Sequence, residues 1–422
     1  MANVLLTPTV IAKEALALLE NNLVMGNHVH RRYKNEFKKV GGSITIRKPV
    51  KFKVTKSRAM TTSTVSEQSI TLTVSTQAHV AWGFFTDDLT LTIEEYSERY
   101  IKPASAALAN VVDADLCGLY VDVWNKVIQT NTAGTPFVDP QSFLVLGKAG
   151  QRLDEEAAPQ EDRVVVLNPA GHWSMANALT GVYVTDVAGA AIKKGFLARL
   201  ANMEVYMDQN IKVHNVGQYQ PEGTSAATIL LNTAGEIPST GVTITSAKAI
   251  TMGRFCVADT ALQIGDVFTI AGVYAVNPVS GESTGILRQF VVTAAVNPSA
   301  TATDSGNYQA VYFEPMMVAS GPYKTIDTFP AAAAAVSVVG SVGRNYPQNL
   351  AFNKNAFALV TVPLEIPKGV WGARATHNGL SIRILKDYNI LTDEEICRLD
   401  IMYGVKTIYP ELACRIAGKE VT

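Results

Sequence analysis

A charge-poor tract in the middle of this sequence constrains its fold more than any other feature. Residues 224–344 hold five basic and seven acidic residues, about 10%, against 17% for the 422-residue chain. Apolar and polar residues alternate there in short runs such as GVTITS, DVFTIAGV, RQFVVTAAV and QAVYFEPMMV, which Gly, Pro and Asn separate. Alternation with a period of two indicates strands with one buried face. We therefore predict a small antiparallel barrel or sandwich.

The segments on both sides of this tract have a mixed α/β pattern. Upstream, the strand RVVVLNPAG leads into a helix that begins near Pro169, and the strand MEVYMDQN follows. Downstream, NLAFNKNAFALVTVPLEIP and LSIRILKDYN again alternate as strands. Two arrangements stay open: a second β-domain in series, or an insertion into one α/β domain that begins before the tract and resumes after it.

The N-terminal segment LTPTVIAKEALALLENNLV is predicted to form a short amphipathic helix. Thr7 is placed as its N-cap, Pro8 occupies the first helical position, and Ile11, Ala15 and Leu19 recur at helical spacing. A polar and basic connector follows the helix.

A strongly basic hairpin is predicted after this connector. From Ser43 the sequence alternates with a period of two in SITIRKPVKFKVTK and again in SITLTVSTQAHVAWGF, with a Ser/Thr-rich stretch between them. Residues 31–60 contain eleven basic residues and one acidic residue, a net charge of +10, and such a segment needs an anionic partner or open solvent. The candidate contact residues in the hairpin are Lys48, Lys51, Lys53, Lys56 and Arg58.

The longest helical pattern of the chain comes next. It runs from Pro103 to Ile128, which at about 1.5 Å per residue predicts a spine of roughly 40 Å. Its apolar residues mark one face, whereas Asp113 and Lys126 face elsewhere. The acidic residues just before the helix are Asp87, Asp88, Glu94, Glu95 and Glu98.

No motif for catalysis or cofactor binding is present in the sequence. H-E-x-x-H, G-x-S-x-G, G-x-x-x-x-G-K-[ST] and G-x-G-x-x-G are all missing. His28 and His30 lie close together, but no carboxylate or cysteine near them in sequence completes a metal site. Asp113 and Asp115 point to different faces of the predicted helix, so they do not pair with each other. We predict no enzyme activity, no cofactor, and no catalytic or metal-binding residues.

Composition also limits the partners and the compartment that we expect for the protein. The net charge of −1 gives no indication of nucleic-acid binding by the whole surface. The four cysteines are widely spaced and form no C-x-x-C pair, which favours reduced thiols. The N-terminus lacks a cationic region before its apolar residues, and no apolar run approaches the ~18 residues of a membrane span. We expect a soluble protein made in the cytoplasm.

Several segments resemble one protein family when they are taken in order. They are IAKEALALLENNLV, GGSITIRKPVKF, IKPASAALANVVDADL, VVVLNPAGHWSMANAL, GDVFTIAGVYAVNPVSGESTG, NLAFNKNAF and GLSIRILKDYN. Together they span nearly the whole chain. This ordered set resembles the major capsid (coat) proteins of tailed bacteriophages, most closely the short-tailed Salmonella-type phage coat proteins that carry an inserted β-domain.

The resemblance implies an α+β fold of the HK97-type phage capsid class with an inserted antiparallel β-barrel. Its parts would be an N-terminal arm at 1–42, an extended hairpin loop at 43–80, a peripheral domain with the spine helix at 81–135, the first part of an axial domain at 136–222, the inserted β-barrel at 223–345, and the axial and peripheral return with the C-terminus at 346–422.

The resemblance also implies a function. The protein would be a major capsid protein that self-assembles through hexamers and pentamers into an icosahedral shell around the phage genome. Its expected partners are itself, a scaffolding protein, a portal, and double-stranded DNA held non-specifically on the inner face, with no membrane. It would be located in the virion after assembly in the host bacterial cytoplasm. The N-terminal helix, Arg415 and Lys419 are candidates for the inner surface.

Two sets of contacts follow from this interpretation. The basic hairpin residues would pair with the acidic residues 87–98 of a neighbouring subunit. A loop of the inserted domain would reach the next capsomer, and its candidate residues are Asn277, Pro278, Glu282 and Arg288.

Two alternatives from other classes remain. An encapsulin-like compartment shell is disfavoured by the chain length, the N-terminal arm and the inserted domain. A β-rich adhesin or carbohydrate-binding protein is disfavoured because the sequence has neither a signal peptide nor an evident carboxylate pair.

Overall fold

The computed structural model describes fourteen stretches of the chain. They are residues 8–31, 42–52, 58, 67–85, 97–128, 140, 142–180, 199–219, 229–231, 246–253, 261–297, 309–331, 334–389 and 394–418. The chain divides into two compact units. Unit 1 comprises Met1–Lys48, Glu67–Cys117 and Phe357–Ile408, and unit 2 comprises Pro49–Ser66, Gly118–Ala356 and Tyr409–Thr422.

The described α-helices all lie before residue 181, and the described elements from Arg199 onward are strands and one 3₁₀ turn at Pro410–Leu412. The helices are α1 Pro8–Asn22, α2 Met25–His28, α3 Lys102–Gly118, α4 Phe143–Glu155 and α5 Pro169–Thr180. The strands up to the barrel are β1 Ser43–Arg47, β2 Ser69–Thr73, β3 Thr76–Phe85, β4 Lys126–Ile128, β5 Arg163–Leu167, β6 Arg199–Leu200, β7 Met203–Met207 and β8 Val213–Asn215. The barrel strands are β9 Ile229–Leu231, β10 Ser246–Gly253, β11 Val267–Val276, β12 Ser283–Val292, β13 Gln309–Val318 and β14 Ala335–Val338. The remaining strands are β15 Asn345–Asn353, β16 Phe357–Thr361, β17 Trp371–His377, β18 Leu380–Asn389, β19 Glu394–Thr407 and β20 Ala413–Ala417.

Unit 1 is built on a five-stranded antiparallel sheet. Its order is β16-β19-β18-β17, and β3 also pairs with β19. Helix α1 packs on β17 and β18 and buries Ile11, Ala15 and Leu19, so the predicted amphipathic helix is confirmed. A two-residue turn at Asn378 and Gly379 joins β17 to β18, and both residues have positive φ, as a type I′ hairpin turn requires.

The hairpin β1–β2 is shorter than its sequence pattern predicted. Ser43 pairs with Thr73, but the second strand ends there, and β3 leaves the hairpin to pair with β19. The single strand predicted over SITLTVSTQAHVAWGF is therefore two strands. The break is fixed by packing in unit 1: a Cβ at Gly404 would lie 2.3 Å from the carbonyl oxygen of Thr73, so only glycine permits this approach.

The predicted spine helix is also too long. Helix α3 ends at Gly118, a single 3₁₀ turn covers Leu119–Asp122, and Lys126–Ile128 forms strand β4. Because glycine weakens a helix and Val is a good strand former, parallel pairing of β4 with β20 overrides the apolar helical pattern. The seventeen residues of α3 span about 26 Å instead of roughly 40 Å.

An 18-residue window of the helical run Arg99–Asp122 has a mean hydropathy of 1.2, so by length and composition alone the run could cross a membrane. The core helix of a soluble protein can have the same length and composition. Leu108, Val112 and Leu116 on α3 are fully or almost fully buried within the protein. The run therefore packs as a core helix.

Unit 2 contains a seven-stranded mixed sheet. Its order is β4-β20-β15-β5-β7-β6, with β8 on β15, and the parallel pairs are β4 with β20 and β5 with β7. Helix α4 packs on β20, and its first turn is capped by the Ser142 hydroxyl, which accepts a hydrogen bond from the Leu144 amide at 3.2 Å. The core between helices and sheet includes Leu146, Leu153, Val165, Met203 and Ile416.

The charge-poor tract folds as a closed six-stranded barrel with the order β10-β13-β12-β11-β14-β9. Three aromatic rings fill its core: Phe268 and Phe290 stack at 5.6 Å, and Phe313 meets each of them edge-on, at 5.9 and 5.1 Å between ring centroids. Strand β5 before the barrel pairs with β15 after it, within one sheet. The barrel is therefore an insertion, and the prediction of an inserted antiparallel barrel is confirmed.

Asp113 does not face away from the core as the sequence pattern suggested. Its side chain is buried, and its carboxylate accepts hydrogen bonds from the amides of Val24 at 2.7 Å and Gly26 at 2.8 Å. Asp115, two residues on, is exposed on the other side of α3 and accepts a hydrogen bond from the Tyr403 hydroxyl. The two carboxylates thus hold different segments of unit 1, namely the α1–α2 connection and β19.

We expect the Asp113→Ala variant to lower the free energy of unfolding by about 2–4 kcal/mol, because it leaves two amides of the α1–α2 connection without their acceptor. Urea unfolding of the unassembled protein measures the change. Asn110→Ala is the matched control, because Asn110 is exposed on the same helix. Equal stabilities of the two variants would contradict this role of Asp113.

Candidate functional site

The basic hairpin presents charge to solvent wherever it is described. Arg47 and Glu67 form an ion pair at 3.1 Å across the hairpin, with side chains 77% and 50% exposed. Lys51 and Arg58 are exposed and Lys48 is half-buried. Lys53 and Lys56 lie outside the described residues, so their positions stay a prediction.

The acidic segment 87–98 is the predicted partner of the basic hairpin. Asp87, Asp88, Glu94 and Glu95 lie outside the described residues, and only the backbone of Glu98 is described. The pairing of this segment with the hairpin therefore stays a prediction.

The turn of the β11–β12 hairpin is tightly organised by Asn277. Its side-chain carbonyl accepts hydrogen bonds from the amides of Val279 at 2.8 Å and Ser280 at 3.2 Å. This Asx turn holds Val279 outward with 84% of its surface exposed, and Glu282 is also exposed. Pro278 is half-buried. A rigid turn with an exposed apolar tip is suited to a contact with another surface.

Arg288 does not belong to this exposed turn, contrary to the sequence-based expectation. Its side chain is 6% exposed and forms an ion pair at 2.6 Å with Glu156, which follows α4. The guanidinium also lies over the ring of Trp124 at 5.6 Å. Strand β12 carries Arg288 into the base of the barrel, so this residue is not accessible for an inter-capsomer contact.

A buried carboxylate organises the base of the barrel. Asp266 is fully buried just before β11, and its Oδ1 lies 2.8 Å from Nε2 of His214 on β8. Its Oδ2 accepts hydrogen bonds from the amides of Gly217 at 3.0 Å and Gln263 at 2.7 Å. The Tyr120 hydroxyl lies 3.1 Å from the other ring nitrogen of His214. One carboxylate thus connects β8 of the sheet to the turn of the barrel that leads into β11.

Lys126 makes a second connection, although its sequence pattern placed it on an exposed helical face. It is buried on β4. Its amide donates to Oε1 of Gln289 at 2.8 Å, and its carbonyl accepts from Nε2 of the same side chain at 2.8 Å. Its Nζ donates to the carbonyl of Val339 at 3.0 Å. The main chain of β4 and the side chain of β12 are therefore joined by a pair of hydrogen bonds.

Arg415 makes the third connection. It was a candidate for the inner surface, but it is fully buried on β20 and cannot line a surface. Its Nη1 donates to the carbonyl of Gly265 at 2.8 Å, and its guanidinium lies over the Tyr120 ring at 5.7 Å. Alternation along β20 turns this side chain toward the barrel. Lys419 lies outside the described residues.

Burial changes the acid–base properties of this cluster. Desolvation lowers the pKa of Lys126 to about 7, with a further decrease from the nearby Arg415 charge. Desolvation likewise lowers the pKa of His214 below its ordinary value, although Asp266 opposes this shift. The pKa of Arg415 falls to about 10, so its guanidinium stays protonated at neutral pH. Lys126 and Arg415 thus lie, with Asp266, in a cluster of ionisable side chains that is buried from solvent.

Sequence reasoning missed this cluster because its members are distant in the chain. Lys126 and Gln289 are 163 residues apart, and Arg415 and Gly265 are 150 residues apart. The one available signal is the charge-poor pattern itself: Arg415 lies in the apolar strand ACRIA and Asp266 begins a strand of a tract with few charges. A lone charge in an apolar strand indicates a buried, partnered group.

Within the described ranges, no three His, Cys, Asp or Glu side chains come together as a metal site. Cys117, Cys397 and Cys414 are buried, and none of these three described cysteines is in a disulfide.

A family model described as "P22 coat protein - gene protein 5" matches residues 1–418. The chain belongs to the P22 coat protein family. It is a bacteriophage major capsid protein, and its function is to form the shell. The α+β capsid fold with an inserted barrel, which the resemblance implied, is confirmed.

Solved structures of phage capsids are similar to this coat protein at low sequence identity. A chain of Mycobacterium phage Che8 is 12% identical with a TM-score of 0.46, and the alignment covers 93% of this chain and 90% of that one. The capsid structure of cyanophage P-SCSP1u is 11% identical with a TM-score of 0.44, and the alignment covers 90% of this chain and 84% of that one. The capsid of Ralstonia phage GP4 is 8% identical with a TM-score of 0.43, and the alignment covers 91% of this chain and 85% of that one. A comparison with curated proteins finds no match.

We expect the coat protein to become more stable as pH rises from about 7 to 9. The folded state holds Lys126 with a pKa of about 7, whereas an unfolded lysine titrates near 10.4, so the unfolded chain binds more protons in this interval. One such group contributes on the order of 1 kcal/mol per pH unit.

The Lys126→Met variant tests this expectation, since it keeps the aliphatic stem and removes the titrating group. Its free energy of unfolding, measured by urea at several pH values, should lose most of this slope. Lys212→Met is the control, because Lys212 is exposed in the same unit. Equal slopes in wild type and Lys126→Met would show that Lys126 does not titrate in this range.

Proposed function

We propose that this coat protein assembles as hexamers and pentamers into an icosahedral shell around the double-stranded DNA of a tailed phage. Assembly takes place in the host bacterial cytoplasm, with a scaffolding protein and a portal as partners, and the protein is structural with no enzyme activity. The observation that carries the proposal is the family match over residues 1–418.

The basic hairpin is the proposed contact between neighbouring subunits. The exposed Lys51 and Arg58, the half-buried Lys48, and Lys53 and Lys56 lie in a segment of net charge +10. Its proposed partner is the acidic segment 87–98 of the adjacent copy. Exposed ion pairs contribute about 0–1 kcal/mol each, so a single contact is weak. Closed symmetry repeats the contact around the shell, and the sum stabilises the assembly.

Charge reversal in the hairpin tests this pairing. We expect Lys51→Glu combined with Lys53→Glu to abolish shell assembly while the subunit stays folded, because like charges then face each other. Electron microscopy measures shells, and circular dichroism measures the fold.

Adding Glu94→Lys and Glu95→Lys to this variant is the matched control. If the two segments meet, the fourfold variant regains shells because the attraction is restored in reverse. Intact shells from the double variant, or no recovery in the fourfold variant, would exclude this pairing. Shells filled with host protein instead of DNA in infected cells would favour an encapsulin-like compartment.

The turn of the β11–β12 hairpin is the proposed contact between capsomers. Its low charge leaves Glu282 as the one acidic residue of the turn, so we infer an apolar and backbone contact centred on Val279. Asn277 holds the turn through backbone amides and thus fixes the position of the tip independently of the Val279 side chain.

Val279→Ser removes this apolar surface without touching the hydrogen bonds of the turn. We expect shells of this variant to dissociate at lower urea concentration, while unfolding of the free subunit is unchanged. Light scattering measures the dissociation of the shells, and circular dichroism measures the unfolding of the free subunit. Ala271→Ser is the control, since it introduces serine at an exposed position of β11 outside the turn. Shells of unaltered stability would rule out Val279 as a bridging residue.

A further inference from the structure

Strand β3, Thr76–Phe85, forms one edge of the sheet in unit 1. All ten of its residues pair with β19 in an unbroken register, from Thr76 opposite Tyr403 to Phe85 opposite Glu394. Within the described ranges, no strand pairs with the other side of β3. At about 3.4 Å per residue, this edge is roughly 34 Å long.

The sequence of β3 lacks the features that normally prevent an edge strand from pairing with another chain. Proteins protect such edges with charged residues, proline, a bulge or a very short strand. TQAHVAWGFF contains no Asp, Glu, Lys, Arg or Pro, and its pairing with β19 has no bulge. Alternation places Ala78, Val80 and Trp82 on a half-buried face, and His79 and Ala81 on an exposed face. A long, regular and uncharged edge of this kind favours pairing with a strand of another chain.

The opposite edge of the same sheet is protected. Strand β17 has seven residues, carries the exposed side chains of Arg374 and His377, and is packed against α1. A charged side chain on an edge strand disfavours the approach of a second strand. The two edges of one sheet therefore differ in exactly those features that control pairing, and only β3 is suited to it.

We propose that β3 of one coat protein pairs with β3 of a second copy in the shell, antiparallel and about a two-fold axis. The protein forms a shell, so other copies of the same chain surround each subunit. A symmetric antiparallel pair sets each residue of β3 against a residue of the same strand, so any charge would meet a like charge nearby. The uncharged β3 is self-complementary in this sense. This contact is separate from those proposed for the basic hairpin and for Val279.

Symmetry limits the register of the pair. A two-fold axis perpendicular to the sheet keeps each face on its own side, and directly opposite residues of an antiparallel pair share a face. The axis therefore passes between two copies of one residue, and the greatest overlap places it at Val80 or at Ala81. Trp82 then lies opposite Ala78 in the first register and opposite Val80 in the second. Either register extends the half-buried apolar face across two subunits.

Cysteine cross-linking in assembled shells tests the pairing directly. Both registers place the two Ala81 residues opposite or diagonal to each other, with about 4.5–8 Å between their Cβ atoms. We expect shells of the Ala81→Cys variant, treated with a short bis-maleimide and then dissolved in denaturant, to give coat-protein dimers on a gel. Thr376→Cys is the matched control, because Thr376 is exposed on β17 of the same sheet. It should give no more dimer than wild-type shells treated in the same way.

A charge on the open edge provides a second test. Ala81→Lys brings two like charges together, because the substitution enters both strands of the pair. We expect the concentration of unassembled subunit at equilibrium with shells to rise roughly fivefold or more. Thr376→Lys adds the same charge to β17 and should assemble at the wild-type concentration. Circular dichroism of the unassembled subunits measures whether both variants are folded.

Three outcomes would overturn the proposal. The first is no dimer above the wild-type level from Ala81→Cys shells, or an equal yield of dimer from Thr376→Cys shells. The second is assembly of folded Ala81→Lys subunits at the wild-type concentration. The third is impaired assembly of Ala81→Lys without a cross-link in Ala81→Cys, because β3 would then contact a different segment of the neighbouring copy.

Discussion

The buried carboxylate of Asp266 is the interaction on which the arrangement of unit 2 depends. A carboxylate without solvent needs donors, and it takes them from His214 on the sheet, from Gly217 where the chain leaves the sheet, and from Gln263 inside the insertion. The two connections of the insertion also meet: the Val216 amide donates to the Arg344 carbonyl at 2.9 Å. The barrel can therefore be inserted without separating β8 from β15. Gly217 is required in this crossing, because a Cβ there would lie 2.4 Å from the carbonyl oxygen of Ala261.

Sequence patterns predicted those parts of the fold whose stabilisation is local or periodic. The alternation in LSIRILKDYN predicted a strand, and β18 has these bounds, because one face of that segment is buried. The pattern after Gly118 was misleading, since Leu119, Val123 and Val127 recur every four residues, a spacing that keeps them on one face of a helix and also on one face of a strand. The outcome there was decided by β20, which is nearly 300 residues away in the sequence and pairs with β4. Non-local pairing of this kind leaves no periodic signal.

The candidate contact residues also differ in whether the sequence can predict their position. An exposed hairpin charge needs no partner within the chain, so composition alone predicts it. Arg288 and Arg415 have the same formal charge, but each is buried by the surroundings of its strand: Arg288 pairs with Glu156, and Arg415 lies against Tyr120. Their roles depend on which distant segment covers them. A single sequence does not contain this information, and both residues were consequently placed on surfaces where they do not lie.

The contrast between these two kinds of charge bears on how a shell subunit works. The proposed contacts between copies use exposed groups, and such groups contribute about 0–1 kcal/mol each, so contacts of this kind release easily when a subunit is misplaced. Such weak contacts add up only if the subunit keeps its shape, because ordering a flexible segment at each contact would cost a similar free energy. The buried connections through Asp266, Lys126 and Arg415 hold the barrel to its sheet. A barrel held in this way presents the turn at Val279 in a defined position relative to that sheet, and the proposed apolar contact at its tip depends on that rigidity.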